Sequence, residues 1–217
     1  PLYYPEGRFT SVDRAVIETA DRIRDMTIRG AGKIARAGAT ALGDMARNHS
    51  GGTLEDFREE LSAASKVILD SRPTAVSLWN GVHATVKGVD EAKTLDDAVQ
   101  TVISNSEDFV RRSLGAVETI ARIGAKRISD GDTIMTHCNS SAALGVIKEA
   151  HRQGKDIKVF ATESRPWRQG ILTVNDLAKA GVDVTMIIDS AVRTVMRRTD
   201  KVFVGADTIT SHGALIN

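Results

Sequence analysis

A single cysteine, Cys138, stands in 217 residues. One thiol forms no internal disulfide and builds no cysteine-based zinc site by itself, and the scarcity fits a reducing compartment. Excess charge is lacking too, since 29 basic side chains meet 28 acidic ones for a net charge of +1. That balance argues against a dedicated nucleic-acid or membrane surface, while a small anionic ligand needs only a few local cations. No apolar run is long enough to span a bilayer, and the start, Pro1-Leu-Tyr-Tyr-Pro-Glu6, has no basic segment followed by an apolar one. The sequence therefore predicts a cytoplasmic protein with no nucleic-acid partner and no membrane partner. His49, His83, His151 and His212 have no ligand-like spacing, so no metal is expected.

What is present is ordinary globular material, 41% hydrophobic and 26% charged, enough for one large domain or two small ones. The first part reads as helices. Thr10 is a candidate cap for a segment to about Met26, with Val12, Val16, Ala20 and Ile23 on one stripe. A second helix follows Arg29-Gly-Ala-Gly32, a third follows Thr53, a fourth runs from Thr74 to about Lys87, and a fifth from about Thr94 to Ile128. Past Gly131 short apolar strands alternate with helices: strands at 132–137, 157–161, 184–188 and 202–204, helices at 141–153, 173–180 and 191–197. Alternation of this kind implies right-handed crossovers and a parallel sheet. The fold class is thus α/β, a helical N-terminal domain over 1–128 followed by a Rossmann-like parallel-sheet domain over 129–217. Four strands make a small sheet and Leu215-Ile216 begins another apolar segment, so the second domain is expected to be incomplete at its C-terminus.

Ligands of open parallel sheets bind beyond the carboxyl ends of the strands. The four predicted strands are followed by Thr136-His-Cys-Asn-Ser-Ser141, Thr162-Glu-Ser-Arg-Pro166, Asp189-Ser190 and Gly205-Ala-Asp207. A thiol, a guanidinium and three carboxylates thus share one edge. Cys138 has two readings: a small buried hydrophobe, or a nucleophile before a helix N-terminus, which favours thiolate. Asp207 also has two: a cap or loop carboxylate, or, if buried, a protonated general acid. His137 faces the other side of its strand and reads as structural. Arg29-Gly-Ala-Gly-Lys33 is either a glycine turn between helices or a phosphate seat, where small residues let an anion approach a helix N-terminus and Arg29 adds a bidentate contact. It is not a Walker loop, because Thr27 and Ile34 stand where Gly and Ser or Thr are needed. The dinucleotide fingerprint is missing there and after the first strand, so no nicotinamide cofactor is expected. Arg72 and Arg165 each precede a proline in an extended turn and are either phosphate ligands or solvated. Trp79 and Trp167 read as packing residues, Trp167 also as a lining for a ligand.

The segments Ile28-Arg-Gly-Ala-Gly-Lys-Ile34, Arg72-Pro-Thr-Ala-Val76, Asn105-Ser-Glu107, Thr136-His-Cys-Asn139, Thr162-Glu-Ser-Arg-Pro166, Gln169-Gly170, Gly205-Ala-Asp207 and Gly213-Ala-Leu-Ile-Asn217 run over nearly the whole chain. In that order they resemble the family holding translation initiation factor 2B regulatory subunits, methylthioribose-1-phosphate isomerases and archaeal ribose-1,5-bisphosphate isomerases. The resemblance implies that Cys138 and Asp207 are catalytic, a pair the initiation-factor subunits generally lack. It implies substrate and phosphate contacts from Arg29, Gly30, Ala31, Gly32, Arg72, Thr74, Ser140, Ser141, Arg165, Gln169 and Asn217, with no metal and no cofactor. Gly32, where the methylthioribose enzyme typically has proline, favours the bisphosphate enzyme. The implied activity is an aldose–ketose isomerase turning ribose 1,5-bisphosphate into ribulose 1,5-bisphosphate in nucleotide salvage. The alternatives are a methylthioribose-1-phosphate isomerase and a non-catalytic initiation factor 2B-like subunit. A sugar bisphosphate substrate, a nucleotide monophosphate (AMP) activator and a homo-oligomer, dimer or hexamer, are implied as partners. Two departures stand out. Cys138-Asn-Ser-Ser141 lacks the His and Lys of close relatives, and the family continues past Asn217 into a Lys-Ile-Gly-Thr stretch.

Overall fold

The computed structural model describes residues 12–216, which form two compact units dividing between Ser113 and Leu114. Thr10 and Asn217 lie outside the described residues.

The first unit is helical: α1 (Arg14–Arg24), α2 (Ala31–Asn48), α3 (Leu54–Ser71), α4 (Val76–Val86) and the first part of α5 (Leu95–Gly124). Each local sequence explains its helix. Asp13 caps α1 by accepting the Ala15 N–H at 2.7 Å. Thr53 and Asp56 cap α3 reciprocally, each side chain taking a backbone N–H of the other residue. The apolar stripes then close one core, with Val16, Ala20 and Ile23 meeting Ile34, Leu42, Phe57, Leu61, Ile68, Leu78, Val82 and Val102. Helices α2 and α4 approach closely because Gly81 has no side chain; a Cβ there would lie 2.8 Å from the Ala35 carbonyl oxygen. Trp79 departs from its expected packing role. It is 53% exposed and stacks on His83 at 3.7 Å, because its place on α4 faces away from the apolar stripe.

The second unit holds the end of α5, then β1 (Thr133–Thr136), α6 (Ser141–Arg152), β2 (Lys158–Thr162), α7 (Gln169–Lys179), β3 (Asp183–Ile187), α8 (Val192–Met196) and β4 (Lys201–Phe203). A short antiparallel pair, β5 (Thr208–Ile209) and β6 (Leu215–Ile216), comes after them. The four main strands are all parallel in the order β3-β2-β1-β4. Register aligns Ile134 with Val159 and Val159 with Val184, and that face packs on Leu144, Ile147 and Leu177 of α6 and α7. The sequence draws its domain boundary at 128/129, where the helical run stops, whereas the compact units divide inside α5. The last turns of α5 serve the sheet unit, and a Cβ on Gly145 of α6 would touch Ala121 Cβ at 3.4 Å. Helix α7 also begins earlier than its periodicity suggests, at Gln169, since the turn signals of Pro166 and Gly170 mask its first turn.

Candidate functional site

In the order β3-β2-β1-β4 the chain winds outward from β1 through β2 to β3 and then returns to the other side of β1. The crevice of an open α/β sheet opens at such a reversal, beyond the carboxyl ends of the two strands flanking it. Here those strands are β1 and β4, and the residues after their carboxyl ends include Cys138 and Asp207. The two loops touch: a Cβ on Gly205 would lie 2.7 Å from the Ser140 hydroxyl oxygen, so only glycine lets the β4 end pass the start of α6.

Cys138 is half-buried and adopts φ 63°, a left-handed backbone that residues with a Cβ avoid. Its N–H donates to Ser164 Oγ at 2.8 Å and its carbonyl accepts from Thr173 Oγ1 at 2.7 Å. Asn139 Nδ2 donates in turn to Thr173 Oγ1 at 3.0 Å. Ser140 is the N-cap of α6, its hydroxyl accepting the Ala143 N–H at 3.3 Å, and Ser141, exposed, opens the helix. The thiol therefore precedes a formed helix N-terminus, as its sequence context predicts.

Beside it the end of β2 is tied by polar groups. The Asp189 carboxylate accepts the N–H groups of Ser164 at 2.8 Å and Arg165 at 2.9 Å. Those two backbone bonds, Arg165 first, hold its carboxyl below the usual carboxylate range. Thr162 Oγ1 meets Ser164 Oγ at 3.1 Å and also the Nδ1 of His137. Gly170 sits against this strand end, where a Cβ would fall 1.8 Å from the Thr162 carbonyl oxygen. The pair Gln169-Gly170 thus starts α7 in contact with β2, with Gln169 half-buried. The Arg165 side chain is exposed, and Arg168 rather than Arg165 pairs with Glu163, at 3.3 Å. Trp167 does not pack as expected; it is 68% exposed, because its loop runs over the surface.

Asp207 lacks the burial that its reading as a general acid expected. It is exposed, and its N–H donates to the Ile216 carbonyl at 2.9 Å beside the β5–β6 pair. It follows β4 and Gly205 in the chain and has no apolar surround.

The remaining candidates belong to the first unit. Gly30, at φ 93°, is the N-cap of α2 and supplies no side-chain bond, and the Ala31 and Gly32 N–H groups take no side-chain cap among the described residues. Arg29 is half-buried. Arg72 Nη1 reaches Met26 Sδ at 3.3 Å, which joins the Arg72-Pro73 turn to the turn before Gly30, while Thr74 is exposed. So the structure gathers Cys138, Ser140, Ser141 and the loops bearing Arg165, Gln169 and Asp207 in one unit. Arg29, Gly30, Ala31, Gly32 and Arg72 gather in the other. Sequence reasoning missed Thr173, a helical threonine in no motif, and treated Asp189 only as one polar group at a strand end.

These features define an α/β protein whose polar strand-end loops meet beside a sheet reversal, with a separate helical unit in which α2 starts at a glycine cap. The Initiation factor 2 subunit family matches residues 27–217, and the chain belongs to it. The ribose 1,5-bisphosphate isomerase of Methanocaldococcus jannaschii is 48% identical over 92% of this chain and 64% of its own length. That of Archaeoglobus fulgidus is 49% identical over 93% and 63%. The crystal structure of translation initiation factor eIF-2B, subunit delta, from A. fulgidus superposes with a TM-score of 0.76 at 34% identity, covering 91% of this chain and 61% of that one. The chain thus spans slightly under two thirds of the relatives it matches. Among the described residues no helix is long and apolar enough to cross a membrane.

Proposed function

We propose that this chain carries the catalytic residues of an aldose–ketose isomerase that converts ribose 1,5-bisphosphate to ribulose 1,5-bisphosphate. The observation that supports the reading best is the adjacency of β1 and β4 at the sheet reversal, with Cys138 after one strand and Asp207 after the other. The isomerase names of the relatives at 48% and 49% identity point the same way. Within the sheet unit, the start of α6 at Ser141 suits developing negative charge or a phosphate.

The chemistry balances with two groups. A 1-phosphorylated aldose is locked as a ring, so the bond from C1 to the ring oxygen must break first. Asp207 donates a proton to that oxygen, and the Cys138 thiolate removes the C2 proton to leave an enol phosphate. The Cys138 thiol returns a proton to C1 while the Asp207 carboxylate takes the proton of the C2 hydroxyl, and the ketose forms with both groups restored. An exposed Asp207 suits this exchange if substrate itself covers the carboxyl. A homo-oligomer and activation by AMP belong to the same reading; gel filtration and turnover with and without AMP check them.

Phosphorus and proton NMR of ribose 1,5-bisphosphate with the protein and with Cys138→Ser tests the reaction. Ribulose 1,5-bisphosphate from the parent and none from the variant is the expected result. No product from the parent with AMP present overturns it, and turnover of methylthioribose 1-phosphate in its place assigns the sister activity.

A further inference from the structure

We infer that Ser164 and Thr173 are positioning residues for Cys138, clamping its peptide on both sides to hold it in the left-handed conformation. The proposal rests on the isomerase reading for its kinetic consequence but not for its geometry.

A residue with a Cβ keeps a positive φ only where its surroundings over-determine it. At Cys138 they do. The N–H donates to Ser164 Oγ at 2.8 Å, and the carbonyl accepts from Thr173 Oγ1 at 2.7 Å. The two hydroxyls come from different elements, the loop after β2 and the middle of α7, and both residues are buried, at 6% and 0% exposure. Because φ sets the direction in which Cβ leaves the backbone, the clamp sets where the thiol is carried.

Thr173 shows that this is a specific arrangement. A threonine inside a helix ordinarily returns its hydroxyl to the carbonyl four residues back. Thr85 does so to Gly81 at 2.9 Å, and Thr101 to Asp97 at 2.7 Å. Thr173 instead directs its hydroxyl out of α7 to Cys138, and Asn139 Nδ2 supplies the second bond that fixes its orientation. Ser164 is itself left-handed, at φ 60°, with its own N–H held by Asp189. Its oxygen therefore stands ready to accept the Cys138 N–H, and its proton is left for Thr162 or His137, at 3.1 and 3.4 Å.

Thr173→Val removes one hydroxyl at nearly constant volume, and Thr173→Ser keeps it. Ser164→Gly removes the other while tolerating the positive φ. Cys138 is the chain's single cysteine, so alkylation by iodoacetamide across pH, without substrate, reports on it alone. We expect Thr173→Val and Ser164→Gly to shift the pH midpoint of alkylation. They should lower kcat about 10–100-fold with KM nearly unchanged, as a misplacement of the reacting group does. Thr173→Ser should return both measures to within about twofold of the parent. Folded Thr173→Val and Ser164→Gly proteins with the parent's alkylation profile overturn the proposal, as does a Thr173→Ser protein impaired as badly as Thr173→Val. If the parent shows no isomerase activity, the functional reading falls while the alkylation profile still decides the clamp. Each hydroxyl is removed separately, so failure of one variant to fold leaves the other to decide.

Discussion

The helical unit and the strand-end loops of the sheet unit are held by different forces. In the first, apolar side chains from every helix, Val16 in α1 through Val102 in α5, meet in one core, and polar groups act mainly as caps such as Thr53 and Asp56. In the second, the residues just beyond the strands are fixed by a chain of hydrogen bonds from Thr173 through Cys138, Ser164 and Asp189. Burial is non-directional and tolerates small shifts, whereas a hydrogen bond fixes distance and angle. A scaffold is well served by the former; a loop that must carry a thiol to a set position needs the latter.

Substitutions sharpen or break this contrast. The largest loss of stability is expected in the helical core. Phe57 is fully buried on α3, and Phe57→Ala should cost about 3–5 kcal/mol in urea unfolding. A cost near that of a surface change would mean that this unit is not held by burial. Next comes Gly170→Ala, where the new methyl meets the Thr162 carbonyl and α7 must move away from β2. About 1–3 kcal/mol is expected. The same shift should disturb alkylation of Cys138, because Thr173 lies on the displaced helix; an unchanged alkylation rate would uncouple α7 from the thiol. Thr53→Ala removes half of a capping box and should lower stability by about 1 kcal/mol without altering Cys138 chemistry.

Asp189→Asn is expected to cost least at neutral pH, since the amide keeps one acceptor oxygen, and its signature lies in acid. The Asp189 carboxyl is held below its ordinary value of 3.8 by the Arg165 and Ser164 N–H groups. Its contribution to stability is therefore complete above that value and is lost as pH falls through the lower folded one. The Tm difference between parent and variant should be constant above about pH 5 and narrow below the ordinary value. A gap that does not narrow in acid would assign the loop's stability to something other than this carboxylate.

Periodicity made the helical unit legible, because a stripe such as Val16, Ala20 and Ile23 has one way to be buried. The alternation past Gly131 likewise announced parallel strands, and the residues just past each strand placed Cys138, Asp189 and Asp207 on one edge. The α7 start and the β5–β6 pair were hidden, the first behind turn residues and the second because two-residue strands carry no period. The exposure of Trp79, Trp167 and Asp207 was equally hidden, since composition does not say which side of an element meets a neighbour.

By itself the sequence determined the element types, the two-part organisation and the residues able to do chemistry, because those depend on side-chain period, turn chemistry and residue type along the chain. Only the tertiary structure decided which strand ends are neighbours, that Cys138 is left-handed, and that a helical threonine gives its hydroxyl to it. Strand order and hydrogen-bond partners are relations between residues far apart in the chain, and no local pattern encodes them.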